Sequence, residues 1–221
     1  AVIDKSEHGR TEDLAWSPDA QWLAFTSVTD ARHQAIKLYS VKTKSATLAT
    51  QPEFRDYSPS FDPAGKYLYF LSVRTFDPVY DAVQFELSFP RAARPYLIAL
   101  QDGGSPPFDP PLKGMKPEPP PGLAVNGDKS ADADAIRVDL EGIARRVAAF
   151  PVAENKFGQL AAVAGRKVVW TVMPIVGAHG RGGHKEGPGR LELFDFDTLR
   201  TEVLSEKVER FVLANDHLTL V

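Results

Sequence analysis

Short apolar segments, each preceded by a tight turn, recur four times along the chain. The four copies read PDAQWLAF (18–25), PAGKYLYF (63–70), AGRKVVW (164–170) and NDHLTLV (215–221). Their last residues are 45, 100 and 51 positions apart. A period near 45 residues with one hairpin per repeat is typical of the four-stranded blade of a β-propeller. Since propellers close into rings of typically 4–8 blades, the pattern predicts part of a ring, about three to four blades.

The other apolar segments are of strand length and are separated by turn residues, which predicts an all-β fold of four-stranded antiparallel sheets. In the first repeat, strands are predicted at 22–27, 36–41 and 46–50. In the second half of the chain, strands are predicted at 136–140, 146–152, 159–163, 167–173, 190–196, 199–204, 208–213 and 217–221. Residues 1–4 are interpreted as the tail of a preceding blade, and residues 1–221 as one partial propeller domain.

The turn in the second repeat has recognisable chemistry. Pro63 presets φ at one central position, and Gly65 can adopt the left-handed conformation, as in a type I turn followed by a glycine bulge. Ala20 occupies the position of Gly65 in the first repeat. A Cβ at positive φ costs about 1 kcal/mol or more, so Ala20→Gly is predicted to stabilise the fold.

Between the second and third copies lie about 55 residues more than a 45-residue repeat requires. Residues 74–93 carry many aromatic side chains and are predicted to pack against the body of the domain. Residues 103–129 contain eight prolines, and proline lacks the donor that a sheet requires, so they are predicted to form a long surface loop. The alternative is a degenerate blade hidden in this stretch. Residues 177–189 are glycine-rich and are predicted to be a flexible connection.

Composition narrows the classes of partner. A net charge of −3 over 221 residues gives no reason to expect nucleic acid. No segment approaches the ~20 apolar residues that span a bilayer, and charged residues interrupt residues 1–30, so neither a membrane partner nor a signal peptide is expected. The absence of cysteine excludes disulfides and is compatible with a cytoplasmic location.

No catalytic, metal or cofactor site is predicted, because none of the common nucleophile, zinc or phosphate-loop motifs occurs. His179 and His184 are five residues apart and are potential metal ligands. They lie among six glycines, however, and ordering such a backbone costs entropy, so a solvated hairpin tip is the preferred interpretation.

Two arginine pairs are candidates for binding a peptide carboxylate, since a guanidinium group can hold a carboxylate through two hydrogen bonds. Arg91 and Arg94 are the candidate substrate-binding residues, and Arg145–Arg146 is a second basic pair. The alternative is that these side chains satisfy local carbonyl or acidic groups. Three tryptophans are interpreted as core between blades and four aspartates as turn or cap residues: Trp16, Trp22, Trp170, Asp56, Asp62, Asp77 and Asp81.

Several segments resemble the propeller region of tricorn-type proteases. They are DLAWSPD (13–19), FDPAGKYLYFLS (61–72), RTFDPVYD (74–81), QFELSFPR (84–91) and RPYL (94–97). The likeness is strongest over residues 12–100, where the segment after the second repeat is more specific than the propeller turns. The sequence departs from the pattern at Ala20, which replaces a glycine-like turn residue.

The resemblance implies part of the seven-bladed propeller of a large cytoplasmic serine peptidase that degrades oligopeptides and assembles as a homo-oligomer. The chain would then be non-catalytic: it would gate or channel peptide substrates and hold other domains of the same polypeptide. A TolB-like protein-interaction propeller is the alternative. A self-contained hydrolase using His179 or His184 is a third hypothesis.

Overall fold

The structure is a computed structural model that describes residues 2–75, 79–80, 87–88, 91–108, 135–175 and 187–221. It is built from short β-strands and a single-turn 3₁₀ helix at Ile143–Arg145. The strands are β1 Glu12–Trp16, β2 Trp22–Val28, β3 Gln34–Ser40, β4 Ser45–Leu48, β5 Arg55–Phe61, β6 Tyr67–Val73, β7 Val79–Tyr80, β8 Leu87–Ser88, β9 Ala93–Ala99, β10 Val147–Ala149, β11 Phe157–Val163, β12 Lys167–Val172, β13 Gly189–Asp195 and β14 Arg200–Val208.

Twelve of the described strands form three antiparallel blades. The first blade is β1–β4, the second is β5, β6, β9 and β10, and the third is β11–β14. One parallel contact, between Gln34 and Arg55, joins the first two blades. A bridge between Leu213 and Leu220 starts a further hairpin. The predicted all-β partial propeller is therefore confirmed.

The apolar core lies between neighbouring blades, because both faces of each blade's second strand are covered. The second strands β2, β6 and β12 are consequently almost continuous apolar runs, as expected of strands buried on both sides. Phe150 lies at the centre of an aromatic cluster between the second and third blades and is fully buried. Its ring lies 5.2–6.0 Å from five other rings, those of Tyr69, Phe108, Trp170, Phe194 and Phe196.

The turn between the first two strands of a blade has the same form in three of the four copies. Ala20, Gly65 and His217 have φ values of 55°, 68° and 54°. Each donates its backbone N–H to the carbonyl three residues earlier. The third copy differs, since Gly165 and Arg166 both have positive φ. The predicted type I turn with a left-handed residue is present at Gly65, and Ala20 adopts it despite its Cβ.

Residues 136–140 are not a strand, contrary to the prediction. The strand that follows β9 in the second blade is β10, which pairs with it over Val147–Ala149. The segment covers two turns: the Ile136 N–H donates to Asp19 Oδ2 over 2.7 Å, and a Cβ at Gly65 would lie 2.6 Å from the Ile136 side chain. A segment of strand length with alternating apolar and charged residues thus covers turns of two blades.

Three further expectations are corrected by the structure. Residues 199–204 and 208–213 are predicted as two strands, but β14 runs unbroken through the polar residues 205–207, bends at register shifts and ends at Val208, after which only Leu213 makes an isolated bridge. Residues 217–221 form only a short hairpin end with one bridge. The prediction of a core position is wrong for Trp16, which is 57% exposed, because no described element packs over that side of β1. Trp170 is buried as expected.

The N-terminal segment also differs from the expected tail of a preceding blade. Residues 2–4 form no strand, and Asp4 binds the first blade instead. Its carboxylate lies 2.9 Å from Lys37 Nζ and accepts a 3.4 Å hydrogen bond from Ser27 Oγ.

Candidate functional site

The first strands of the three blades lie side by side, and we call this group (β1, β5 and β11) the convergent edge. The Ser58 N–H donates to Asp13 Oδ2 over 2.9 Å, which joins β1 to β5. The Leu160 N–H donates to Ser58 Oγ and the Ala162 N–H to Ser60 Oγ, both over 2.9 Å, which joins β5 to β11. In each blade the second, third and fourth strands follow the first strand in order, away from the convergent edge. The convergent edge is therefore the inner edge of the three blades, and the axis of the partial ring runs along it.

A β-bulge interrupts each strand of the convergent edge at the corresponding place. The register shifts between residues 12 and 15, 57 and 60, and 157 and 160. Asp13 and Ser58 lie in these bulges with φ of 54° and 53°. Bulges re-aim side chains and shield strand edges. Here the side chains of Asp13 and Ser58, which lie in the bulges, accept hydrogen bonds from backbone N–H groups of the next blade.

The third bulge continues this pattern toward the terminal hairpin. The side-chain amide of Gln159 donates to the carbonyl of Phe211 over 2.9 Å and accepts from the N–H of Phe211 over 3.3 Å. Tyr57, next to the second bulge, donates its hydroxyl to the carbonyl of Phe157 over 2.9 Å, and burial raises the pKa of that phenol to about 12. The convergent edge is therefore held by side-chain bonds between blades, with no mainchain ladder across it.

One face of the fan carries the chain segments that follow the second strand of each blade, and we call it the loop face. Pairing of Val28 with Gln34, Val73 with Ala93 and Val172 with Arg190 places the ends of segments 29–33, 74–92 and 173–189 on this side. The proline-rich segment instead leaves β9 and returns to β10 on the opposite face. The described ends of the two insertions thus lie on opposite faces of the second blade.

The two predicted substrate-binding arginines have different surroundings on the loop face. Arg91 is exposed. Arg94 Nη2 and Nε both donate to the carbonyl of Phe150, over 2.7 and 2.9 Å, and its Nη1 lies 3.4 Å from Glu154. The Arg94 guanidinium group is therefore engaged by a backbone carbonyl and an acid of its own blade, and a carboxylate-binding role for the pair stays a prediction.

The second basic pair lies on the opposite face. Arg146 donates to the carbonyls of Ala99 and Glu141, both over 2.8 Å, and also to that of Asp139. This side chain therefore ties the return of the long insertion to the end of β9. Its hydrogen bonds serve local carbonyl groups.

A buried acid–arginine network at the base of the aromatic insertion was not found from the sequence. Asp56 is fully buried and accepts hydrogen bonds from Ser72 Oγ and from Arg74 Nη2, the latter over 3.3 Å. Burial raises the pKa of Asp56, while its hydrogen bonds and the nearby guanidinium oppose that rise. The Arg74 guanidinium lies over the rings of Phe54 and Tyr96 at 4.6 and 4.5 Å.

The sequence placed Asp56 among turn and cap residues, which is wrong, because it lies within β5 and faces the interior. Asp62 does fill such a role, accepting from the N–H groups of Ala64 and Lys66. The sequence did carry a signal for this network. Asp56 lies inside the β5 segment, and Ser72 and Arg74 lie two residues apart at the end of the β6 segment. Asp77 and Asp81 lie outside the described residues.

His179 and His184 also lie outside the described residues. Among the residues that the structure describes, no group of three or more histidine, aspartate and glutamate side chains is placed to hold a metal ion. Within the same residues, no helix has the length and apolarity needed to cross a membrane.

Comparison with known sequences gives consistent matches over the whole chain. A family model described as the tricorn protease second beta propeller domain matches residues 1–221. A tricorn protease homolog of Saccharolobus solfataricus is 35% identical over 215 residues, which cover 97% of this chain and 18% of that protein. Tricorn protease homolog 1 of Streptomyces coelicolor is 36% identical over 218 residues, covering 97% of this chain and 20% of the relative. The chain thus spans about a fifth of the length of these relatives.

Solved structures show the same fold. The crystal structure of the tricorn protease superimposes with a TM-score of 0.80 at 24% identity, covering all of this chain and 20% of that one. A TolB structure from Agrobacterium tumefaciens gives a TM-score of 0.53 at 15% identity, covering 91% of this chain and 53% of that one. At these identities the likeness concerns the fold alone.

Proposed function

Because the chain belongs to the family of the tricorn protease second beta propeller domain, we propose that it is a non-catalytic propeller segment of a tricorn-like serine peptidase that degrades oligopeptides. In this role it gates or channels peptides and holds neighbouring domains of the same polypeptide. In this proposal, residues 1–221 form one partial propeller domain. The parent enzyme is proposed to act in the cytoplasm as a homo-oligomer.

The observation that most supports channelling is the convergence of β1, β5 and β11. A passage bounded by first strands admits an extended chain and excludes a folded one. Side-chain bonds such as that from the Ser58 N–H to Asp13 occupy edge groups that a passing peptide would otherwise pair with. A peptide could therefore slide along this edge without being captured as an added strand.

A blocking experiment in the full-length parent protein tests this proposal. Leu14 lies in the bulge of β1 and is 67% exposed, and these 221 residues contain no cysteine. Leu14→Cys coupled to a bulky maleimide is expected to slow oligopeptide turnover several-fold. Glu202→Cys, on the exposed outer strand β14, is the matched control and should leave turnover unchanged after coupling. Equal turnover of the two labelled proteins would refute channelling along this edge.

A further inference from the structure

A recess with a volume of about 460 Å³ opens on the loop face beside the junction of the first two blades. It is lined by residues 30–33, by the last residue of β2, the first residue of β3 and the first residue of β5. A volume in this range suits a small molecule or the end of a peptide and is too small for a folded chain. The bonds described above for the convergent edge and for Arg94 do not involve this recess.

The acidic group in the lining is already engaged. Asp30 accepts from the N–H groups of Arg32 and His33 over 2.7 and 2.9 Å, and from His33 Nδ1 over 2.7 Å. These bonds fix the conformation of the loop, and they occupy both carboxylate oxygens of Asp30 with donors from the same loop. Asp30 is therefore a structural group of the loop.

The two arginines of the lining are differently placed. The guanidinium groups of Arg32 and Arg55 are exposed, and within the described part of the chain neither lies within ion-pair distance of a carboxylate. They come from different blades. The backbone segments that carry the two arginines are held together by the parallel contact between Gln34 and Arg55 and by the 2.9 Å bond from the Gln34 N–H to the carbonyl of Phe54.

We propose that this recess binds the C-terminal carboxylate of a peptide, with Arg32 and Arg55 as the groups that hold it. Two guanidinium groups on one recess provide the forked donors that a carboxylate accepts, and Val28 supplies an apolar wall for the last side chain. The identity of the ligand as a peptide rests on the proposed function. The recess lies where β5 of the convergent edge begins, so a peptide held there would be positioned at the entrance to the proposed passage.

Binding of a matched pair of peptides to the full-length protein, with hydrolysis blocked, tests the assignment. The probes are a fluorescently labelled hexapeptide with a free C-terminal carboxylate and the same peptide as a C-terminal amide, measured by fluorescence anisotropy. We expect the acid to bind at least about 10-fold more tightly, since a hydrogen bond to a charged group contributes about 1.5–3 kcal/mol. Arg32→Gln and Arg55→Gln should each reduce this preference, and the double variant should remove it.

Arg200→Gln is the control, because Arg200 is an exposed arginine at the start of β14 on the opposite face. This variant should keep the preference for the acid. Equal affinity of wild type for acid and amide, or a preference that survives in the double variant, would overturn the proposal. Competition with inorganic phosphate distinguishes a carboxylate site from a phosphate site. If phosphate displaces the peptide only at concentrations far above the peptide's Kd, the carboxylate assignment is supported. If phosphate binds more tightly than the peptide, the assignment is overturned.

This measurement is independent of turnover. Loss of the acid preference in the double variant, together with normal turnover of labelled Leu14→Cys protein, would uphold the recess and reject channelling. If the double variant keeps the acid preference while labelled Leu14→Cys protein turns over substrate more slowly, the recess proposal alone is rejected.

Discussion

The turn between β1 and β2 contains a strained residue whose replacement should stabilise the protein. Ala20 has a φ of 55°, and this left-handed conformation costs a residue with a Cβ about 1–2 kcal/mol. Glycine removes that cost but gives the unfolded chain more freedom, worth about 0.4–1 kcal/mol. The Ala20 methyl group is exposed, so its loss removes little packing. We therefore expect Ala20→Gly to raise the free energy of unfolding by about 0.5–1 kcal/mol.

Urea unfolding of the 221-residue chain measures this effect, with the fluorescence of the buried Trp170 as one reporter. The midpoint should rise while the slope stays constant, because the surface exposed on unfolding hardly changes. In thermal unfolding, the same free energy corresponds to a Tm increase of about 1–4 °C for a chain of this size.

Two glycine–alanine exchanges serve as controls. Ala64→Gly, at the turn position where φ is not positive, should lower stability by about 0.5–1 kcal/mol. Gly165 has a φ of 81°, and a Cβ there meets no atom within 4 Å, so Gly165→Ala tests backbone strain alone and should cost about 1–2 kcal/mol. If Gly165→Ala is destabilising while Ala20→Gly unfolds at the same or a lower urea concentration, turn strain at Ala20 is refuted.

Phe150→Ala should destabilise the chain by about 3–5 kcal/mol in urea unfolding, since its fully buried ring joins the second and third blades; a loss below about 1 kcal/mol would contradict that role. Arg74→Ala should cost about 3 kcal/mol or more at pH 7, because it leaves the Asp56 carboxylate buried without its cation. The loss should shrink at pH 4, where the raised pKa of Asp56 lets the acid protonate; a pH-independent loss would contradict this account. Bonds from Thr219 and from the backbone lower the pKa of Asp216 to about 2, so the support that this carboxylate gives the terminal hairpin should be complete above about pH 4 and be lost as the pH falls through 2. NMR titration of Asp216 checks this, and an unchanged midpoint in Thr219→Val would argue against the side-chain bond as the cause.

Much of the blade architecture was predictable because it depends on local patterns. Strand segments such as β2 and β6 are apolar runs between turn residues, and the turn at Gly65 follows from the conformational preferences of proline and glycine. The 45-residue spacing of the first two copies then indicated blades. The prediction was less accurate where an alternating segment of strand length, residues 136–140, covers turns without joining a sheet.

The candidate sites were less predictable, since they depend on contacts between residues far apart in the chain. The bond from Ser58 to Asp13 spans 45 positions, and those from Leu160 to Ser58 and from Ala162 to Ser60 span 102. No local spacing marks such pairs. The sequence suggested Arg94 as a candidate substrate-binding residue but could not show that its guanidinium group donates to the carbonyl of Phe150, 56 positions away.

By itself, then, the sequence determined the all-β class, the repeating hairpin and the family resemblance, because strand periodicity and turn torsions act over a few residues. Only the tertiary structure decided which strands converge, which face carries each insertion, and that Arg32 and Arg55 share one recess at the Gln34–Arg55 contact. Those outcomes depend on how separate blades pack against one another, and blade packing is set by buried surfaces that no single repeat contains.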